Sequence, residues 1–330
     1  MSDNLASWSF RNSLRSSLGN VCYPLALPSF LRSWLRIWNE YDLAALIRSG
    51  AVPFVCNRHV GDNFLLSAFA GDYCSTYDLK GVIVLAPSSQ VGLLQRLPGV
   101  IRAIAMDTYV PDNPRFSVWL AQTSPFSRCV VTSGVLSLGH SQDARAFPEV
   151  FAVGLGMPAR TKPALVPLPS QEELTRATEL LESAELHPGH TVLLAPGSNA
   201  LSRKYTPDES WRILAGAAKE HGWSVALNRS GCGTQIPGAV GLDIPLEDLV
   251  AVGRACGWVI AQRSGLCDVV AGRMPKLTVL HSPPYGSDSR DRLFSLVESG
   301  QDMHANELFL DDRLDETKAQ QLFDDPAHSG

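Results

Sequence analysis

Three short stretches of this 330-residue chain place chemically capable side chains directly after apolar runs. The first is Asn57-Arg58-His59-Val60-Gly61-Asp62, which follows residues 51–56 (AVPFVC). The second follows residues 191–195 (TVLLA). It runs Pro196-Gly197-Ser198-Asn199 and continues to Ser202-Arg203-Lys204-Tyr205-Thr206-Pro207. The third is Arg263-Ser264-Gly265-Leu266-Cys267-Asp268, after residues 257–261 (GWVIA). A carboxylate such as Asp62 can take a proton from a hydroxyl, and His59 is a second group able to do so. Ser198, Lys204, Arg263, Ser264 and Gly265 are the residue types of a phosphate cradle: small loop residues that expose amides, with cations to neutralise charge. Each also has a plain structural reading. Asp62 or Ser264 serves equally well as a helix N-cap, and Lys204 as an exposed loop lysine.

The elements between these stretches explain why they recur. Residues 51–56, 81–85 (GVIVL), 101–106 and 129–132 (CVVT) are strand-like and separated by helix-length segments. Residues 191–195, 224–227 (SVAL), 257–261 and 276–280 (KLTVL) form a second series, with helices expected over 207–220 and 246–254 and a loop and helix over 263–271. Alternation of this kind predicts an α/β fold of two Rossmann-like, doubly wound parallel sheets, with ligands in a cleft at the carboxyl ends of the strands. The Pro-rich stretch 158–170 is the expected linker. A helix over 171–184 should follow, capped by Ser170 with Glu173 three residues on. Domain limits are set at 1–50 (helical extension), 51–165, 166–285 and 286–330 (helical tail). Residues 30–47 read as an amphipathic helix with Leu31, Trp34, Leu35, Trp38 and Tyr41 on one stripe and Arg32 and Arg36 off it.

Composition removes several classes. The 28 Lys+Arg against 33 Asp+Glu give a net charge of −5, without the basic footprint of a double-stranded nucleic-acid binder. The seven cysteines form no CxxC pair, which argues against a zinc ribbon or a thioredoxin site and for buried free thiols in a reducing cytoplasm. No apolar run reaches the ~18 residues of a membrane helix. No GxGxxG or GxxxxGK[ST] follows any strand, which argues against a dinucleotide-binding oxidoreductase and a P-loop. Gly139-His140-Ser141-Gln142-Asp143 fails as a nucleophile elbow because Asp143 stands where the last glycine is needed.

The three stretches, in this order, resemble the heptosyltransferase-like glycosyltransferases (family 9 in pattern), which have the GT-B fold. The likeness spans about residues 51–285. Gly61-Asp62 matches the family's Gly-Asp after the first strand. Pro196-Gly197-Ser198, Lys204, Tyr205, Pro207 and Trp211 match its loop, Lys-x-aromatic-Pro run and Trp-bearing helix, with one extra residue before the proline. Arg263-Ser264-Gly265-Leu266 stands where the family has an Asp-Thr-Gly-Leu-type helix start. Arg263 replaces the aspartate, and Cys267-Asp268 stand where small or histidine residues are usual.

What the resemblance implies is transfer of a sugar from a nucleotide-sugar to a hydroxyl of a bacterial surface glycan, lipid-linked glycan or protein. Asp62 would act as the base of an inverting attack, although a retaining enzyme can share the layout. Ser198, Lys204, Arg263, Ser264 and Gly265 would hold the donor diphosphate, and Glu247 would lie near its ribose or base. No metal and no cofactor beyond the co-substrate is expected. The expected location is the cytoplasm, with residues 30–47 available to the inner membrane or a protein partner. The rival reading is a non-catalytic scaffold of the same fold whose working surface is the helix bearing Trp34 and Trp38.

Overall fold

The computed structural model describes residues 26–108, 120, 129–140, 146–197, 208–230, 235–281, 293–310 and 314–324. The chain divides into two compact units, Met1–Ala164 and Leu165–Gly330. The division falls inside the Pro-rich stretch 158–170. Within the first unit the Ala164 N–H donates to Ala68 O (2.9 Å); within the second, Arg273 Nε donates to Val166 O.

In the first unit β1 (Ala51–Val55), β2 (Gly81–Ala86), β3 (Val100–Ala105) and β4 (Val130–Val131) form an all-parallel sheet in the order β3-β2-β1-β4. Every residue of β1 and β2 is buried. A parallel sheet covered on both faces needs such unbroken apolar runs. The described helices are α1 (Ala26–Glu40), α2 (Leu43–Arg48), α3 (Val60–Ala68), α4 (Ala70–Tyr77), α5 (Ser88–Leu94), α6 (Thr132–His140) and α7 (Phe147–Gly154).

The amphipathic segment near the N-terminus differs from its sequence reading in two ways. It breaks at Asp42, whose backbone is left-handed (φ 45°) and whose carboxylate caps α2 by accepting the Ala45 N–H at 3.3 Å. Its buried stripe is Phe30, Trp34 and Ile37, flanked by half-buried Leu31 and Trp38, while Leu35 is 57% exposed. A residue advances about 100° around a helix, so Leu35 is turned away from the face centred on Trp34. That face packs into one core with Val55, Ile83, Leu85 and Ile104. Trp34, at 1% exposure, is therefore a core residue and no docking surface.

In the second unit β5 (Thr191–Ala195), β6 (Ser224–Asn228), β7 (Val240–Leu242), β8 (Gly257–Gln262), β9 (Leu277–His281) and β10 (Asn306–Phe309) form a parallel sheet in the order β10-β9-β8-β5-β6-β7. Helices α8 (Gln171–Ser183), α9 (Asp208–Glu220), α10 (Leu249–Cys256), α11 (Gly265–Val270) and α12 (Glu316–Asp324) complete the described elements. Ser170 and Glu173 form both arms of the expected capping box on α8 (3.2 and 2.6 Å). Trp211 and Trp258 anchor the core with Leu214, Ile260 and Phe323. The C-terminal stretch is not only helical, because β10 adds an edge strand beside β9. Four residues with two apolar side chains are too short a pattern to announce a strand. No described helix is long and apolar enough to cross a membrane. Cys56, Cys74, Cys129, Cys256 and Cys267 are free and buried, and burial pushes the Cys56 thiol up to about 12.

Helices α6 and α7 pack through two glycines. A Cβ at Gly139 would lie 1.9 Å from Val150 O, and one at Gly154 would lie 2.2 Å from Val135 O. Gly139→Ala should force these helices apart and destabilise the protein by about 2 kcal/mol, within the usual range for overpacking. The urea midpoint reports it; an unchanged midpoint would show that the contact is not tight.

Candidate functional site

In an open α/β sheet, strands that leave a central pair in opposite directions open a crevice at their carboxyl ends. In the first unit β2 lies on one side of β1 and β4 on the other. The stretch 56–62, which carries Asp62, leaves the carboxyl end of β1 at this reversal point. In the second unit β6 and β8 flank β5, so the stretches after β5 and β8 meet the same condition. All three stretches singled out from sequence thus begin at reversal points.

The first site is held by Asn63, which is fully buried. Its Oδ1 accepts the Arg58 N–H (3.2 Å) and the Thr132 hydroxyl (3.1 Å). Its Nδ2 donates to Arg58 O (2.7 Å) and Gln90 Oε1 (3.0 Å). Both donors and both acceptor positions of the amide are used, which fixes its orientation. Asn57 Nδ2 donates to Ser133 Oγ (2.9 Å), and the Ser133 N–H returns a bond to Asn57 Oδ1 (3.1 Å). The loop is therefore tied to the start of α6, the helix that follows β4.

On this frame His59 is the exposed N-cap residue of α3, without a side-chain capping bond. Asp62 is not the cap; it sits in the first turn, where the helix dipole favours an anion. Its Oδ2 lies 3.2 Å from Arg58 Nε, with the two side chains 14% and 32% exposed. At the far end of α6, partial burial and then the Arg58 charge push the His140 imidazole below its ordinary value. The turn presents a carboxylate, a guanidinium and one imidazole, with the His140 imidazole on α6 within reach of the Arg58 charge. Asn63 and Ser133 were missed from sequence, and Asn57, within the first stretch, was given no role. The available signal was a polar residue opening the apolar run Phe64-Leu65-Leu66.

In the second unit Ser198 and Lys204 lie outside the described residues. The described part of their loop ends at Gly197, whose φ of 77° suits only glycine without strain. Ser264 is the extended N-cap residue of α11, without a side-chain capping bond, and Gly265 opens the helix. The first amides of a helix have no carbonyl one turn back to bond to. Glu247 is half-buried in the turn before α10.

Arg263, expected as a phosphate-binding cation, is engaged by partners within the unit. Its Nη2 and Nη1 donate to the two carboxylate oxygens of Asp268 (2.8 and 3.1 Å), Nη1 also to Ser264 O (2.7 Å) and Nε to Phe294 O (2.7 Å). Burial alone would push the guanidinium down, but the Asp268 charge, together with Cys267, the Asp268 hydrogen bonds and Glu307, holds it above its ordinary value. The side chains are 9% and 2% exposed. Arg263 is thus committed inside the unit, tying the loop to Phe294. Glu307 on β10 completes the brace. It accepts from His281 (3.0 Å), the Leu296 N–H (2.8 Å) and the Ser295 hydroxyl, and these bonds outweigh burial to hold its carboxyl below the ordinary value. Among the described residues, no group of three or more His, Cys, Asp or Glu is arranged to hold a metal ion.

No protein-family model matches the chain, and no curated protein sequence matches it significantly. Solved structures do. The ADP-heptose lipopolysaccharide heptosyltransferase II of E. coli superposes with a TM-score of 0.58 at 17% identity, over 82% of this chain and 96% of that one. A glycosyl transferase of family 9 from Veillonella parvula gives 0.55 at 12% identity, over 84% and 92%. The glycosyltransferase TibC of enterotoxigenic E. coli gives 0.50 at 14% identity, over 81% and 62%. The fold is therefore that of the GT-B glycosyltransferases. Within that class the likeness is to heptosyltransferase structures, and it is a likeness of fold.

Removing one partner of the buried pair should be costly, whereas replacing both should not. Asp268→Asn should destabilise the protein by about 3–5 kcal/mol, and Arg263→Met with Asp268→Leu should come out near neutral. Urea unfolding of both variants checks this; a harmless Asp268→Asn would mean the pair is solvated.

Proposed function

We propose that the protein is a glycosyltransferase that moves a sugar from a nucleoside-diphosphate sugar to a hydroxyl acceptor. The observation that carries this reading is Asp62, fixed by a buried polar network at the reversal point of the first sheet in a chain of heptosyltransferase-like fold. In this reading Asp62 takes the proton from the acceptor hydroxyl as its oxygen attacks the anomeric carbon. The bond to the diphosphate breaks with inversion. His59, on the same turn, is the other proton acceptor to be tested. The second unit binds the donor. Lys204, Ser198 and the amides at Ser264 and Gly265 take up the charge that develops on the departing diphosphate, the type of electrostatic stabilisation that lowers such barriers most. Arg263 contributes by holding that loop and leaves the cationic role to Lys204. Glu247 faces the ribose or base. One structural neighbour is named for ADP-heptose, which makes ADP-heptose the first donor to test, with GDP- and UDP-sugars beside it.

Calorimetry should show binding of one nucleoside diphosphate, undiminished in Asp62→Asn and weakened in Lys204→Ala. Release of that diphosphate from its sugar nucleotide, with bacterial surface glycans as acceptors, should fall about 10²–10⁴-fold in Asp62→Asn. Full turnover in Asp62→Asn but not in His59→Gln would move the role of base to His59.

A further inference from the structure

The carboxylate assigned as the base is accompanied by a side chain that the transfer reaction has not yet used. Arg58 Nε lies 3.2 Å from Asp62 Oδ2, four residues away along the chain. Arg58 is held more firmly than a surface arginine, because its own N–H and C=O are both bonded to the fully buried Asn63 side chain (3.2 and 2.7 Å). Its guanidinium therefore approaches Asp62 from a fixed backbone. Asp62 is mostly dry, and burial by itself favours the protonated form of a carboxyl, while an opposite charge within ~4–6 Å favours the ionised one. The charge of Arg58 is felt beyond Asp62: after partial burial, it is what pushes the His140 imidazole down. Among the helices in contact with α3, α6 carries His140, α7 carries Glu149 and α5 carries no ionisable group. Asp72, Tyr73, Cys74 and Tyr77 are on α4, which follows the opposite end of α3. His59 precedes Asp62 on its own turn.

We infer that Arg58 is the positioning residue of Asp62: its guanidinium keeps the carboxylate ionised and in one orientation so that the base is ready before the acceptor arrives. This rests on the reading of Asp62 as base. The pairing makes Asp62 a weaker base than a solitary buried carboxylate. In exchange it prevents the dry site from protonating it. Asn63 acts one step further out, by fixing the backbone from which Arg58 reaches.

The test is a carbon-detected NMR titration of the Asp62 side-chain carboxyl in the full-length protein, its signal identified by loss in Asp62→Asn. Removing Arg58 takes away a charge that opposes burial, so the midpoint should move to higher pH. In Arg58→Met the rise should be about one pH unit or more, and in Arg58→Lys, which keeps the charge, the midpoint should stay near that of the natural chain. Arg58→Gln replaces Arg58→Met if the latter does not fold. A role limited to packing would leave the midpoint in place. An unchanged midpoint in a folded Arg58→Met or Arg58→Gln variant overturns the inference. Failure of the base reading shows up separately, as turnover retained in Asp62→Asn.

Discussion

Everything proposed for the first unit depends on one buried amide. Asn63 sits at the start of an otherwise apolar helix face, where an unsatisfied polar group would cost a few kcal/mol. It is tolerated there because four partners from three parts of the chain saturate it: the Arg58 backbone, Thr132 and Gln90. The same saturation locks the turn between β1 and α3 against β4 and α6. Rigidity at that turn matters for chemistry, since a general base acts only within hydrogen-bond reach of the proton it removes. Parallel strands cannot supply this precision by themselves. They set where the crevice is, and the polar network sets which way its residues point.

The second unit solves a related problem by different means. Its loop after β8 is braced from beneath by Arg263, Asp268 and Glu307, a set of buried charges linking β8, α11, the turn at Phe294 and β10. Buried ion pairs add little net stability, but they are unforgiving of misalignment, so they suit a part that must keep one shape. The brace also changes how an anion would be received. With the Arg263 charge paired inside the unit, the proposed diphosphate site relies on loop amides and Lys204. Mild overall acidity is no obstacle, because a few converging groups decide the local field.

Much of this was legible beforehand. The strand of residues 191–195 and the cap at Ser170 follow directly from apolar runs and capping chemistry, and the three loop stretches fell at strand ends because the alternation of strand and helix demands it. What was not legible is instructive. The pairing of Arg263 was hidden because sequence shows a charge but not its partner; Asp268, five residues on, faces it only once α11 has formed. The alternative reading of Asp62 as an N-cap falls because His59 is the residue in extended conformation at that position, which a single sequence does not show. The apolar stripe of α1 was drawn through Leu35, since hydrophobicity alone does not fix the rotation of a helix whose exposed side also carries a leucine. Asn63 went unnoticed because a lone polar residue in an apolar run has no pattern until its partners arrive from residues 90 and 132.

The central claim is that a nucleoside diphosphate is received by the second unit, at the carboxyl ends of β5 and β8, while Asp62 serves the acceptor. Amide chemical-shift mapping with ADP, GDP and UDP tests it most directly. The account predicts that one of the three shifts the Ser264 and Gly265 amides and leaves those of residues 58–63 in place. Shifts confined to residues 58–63, or none with any of the three, would contradict it.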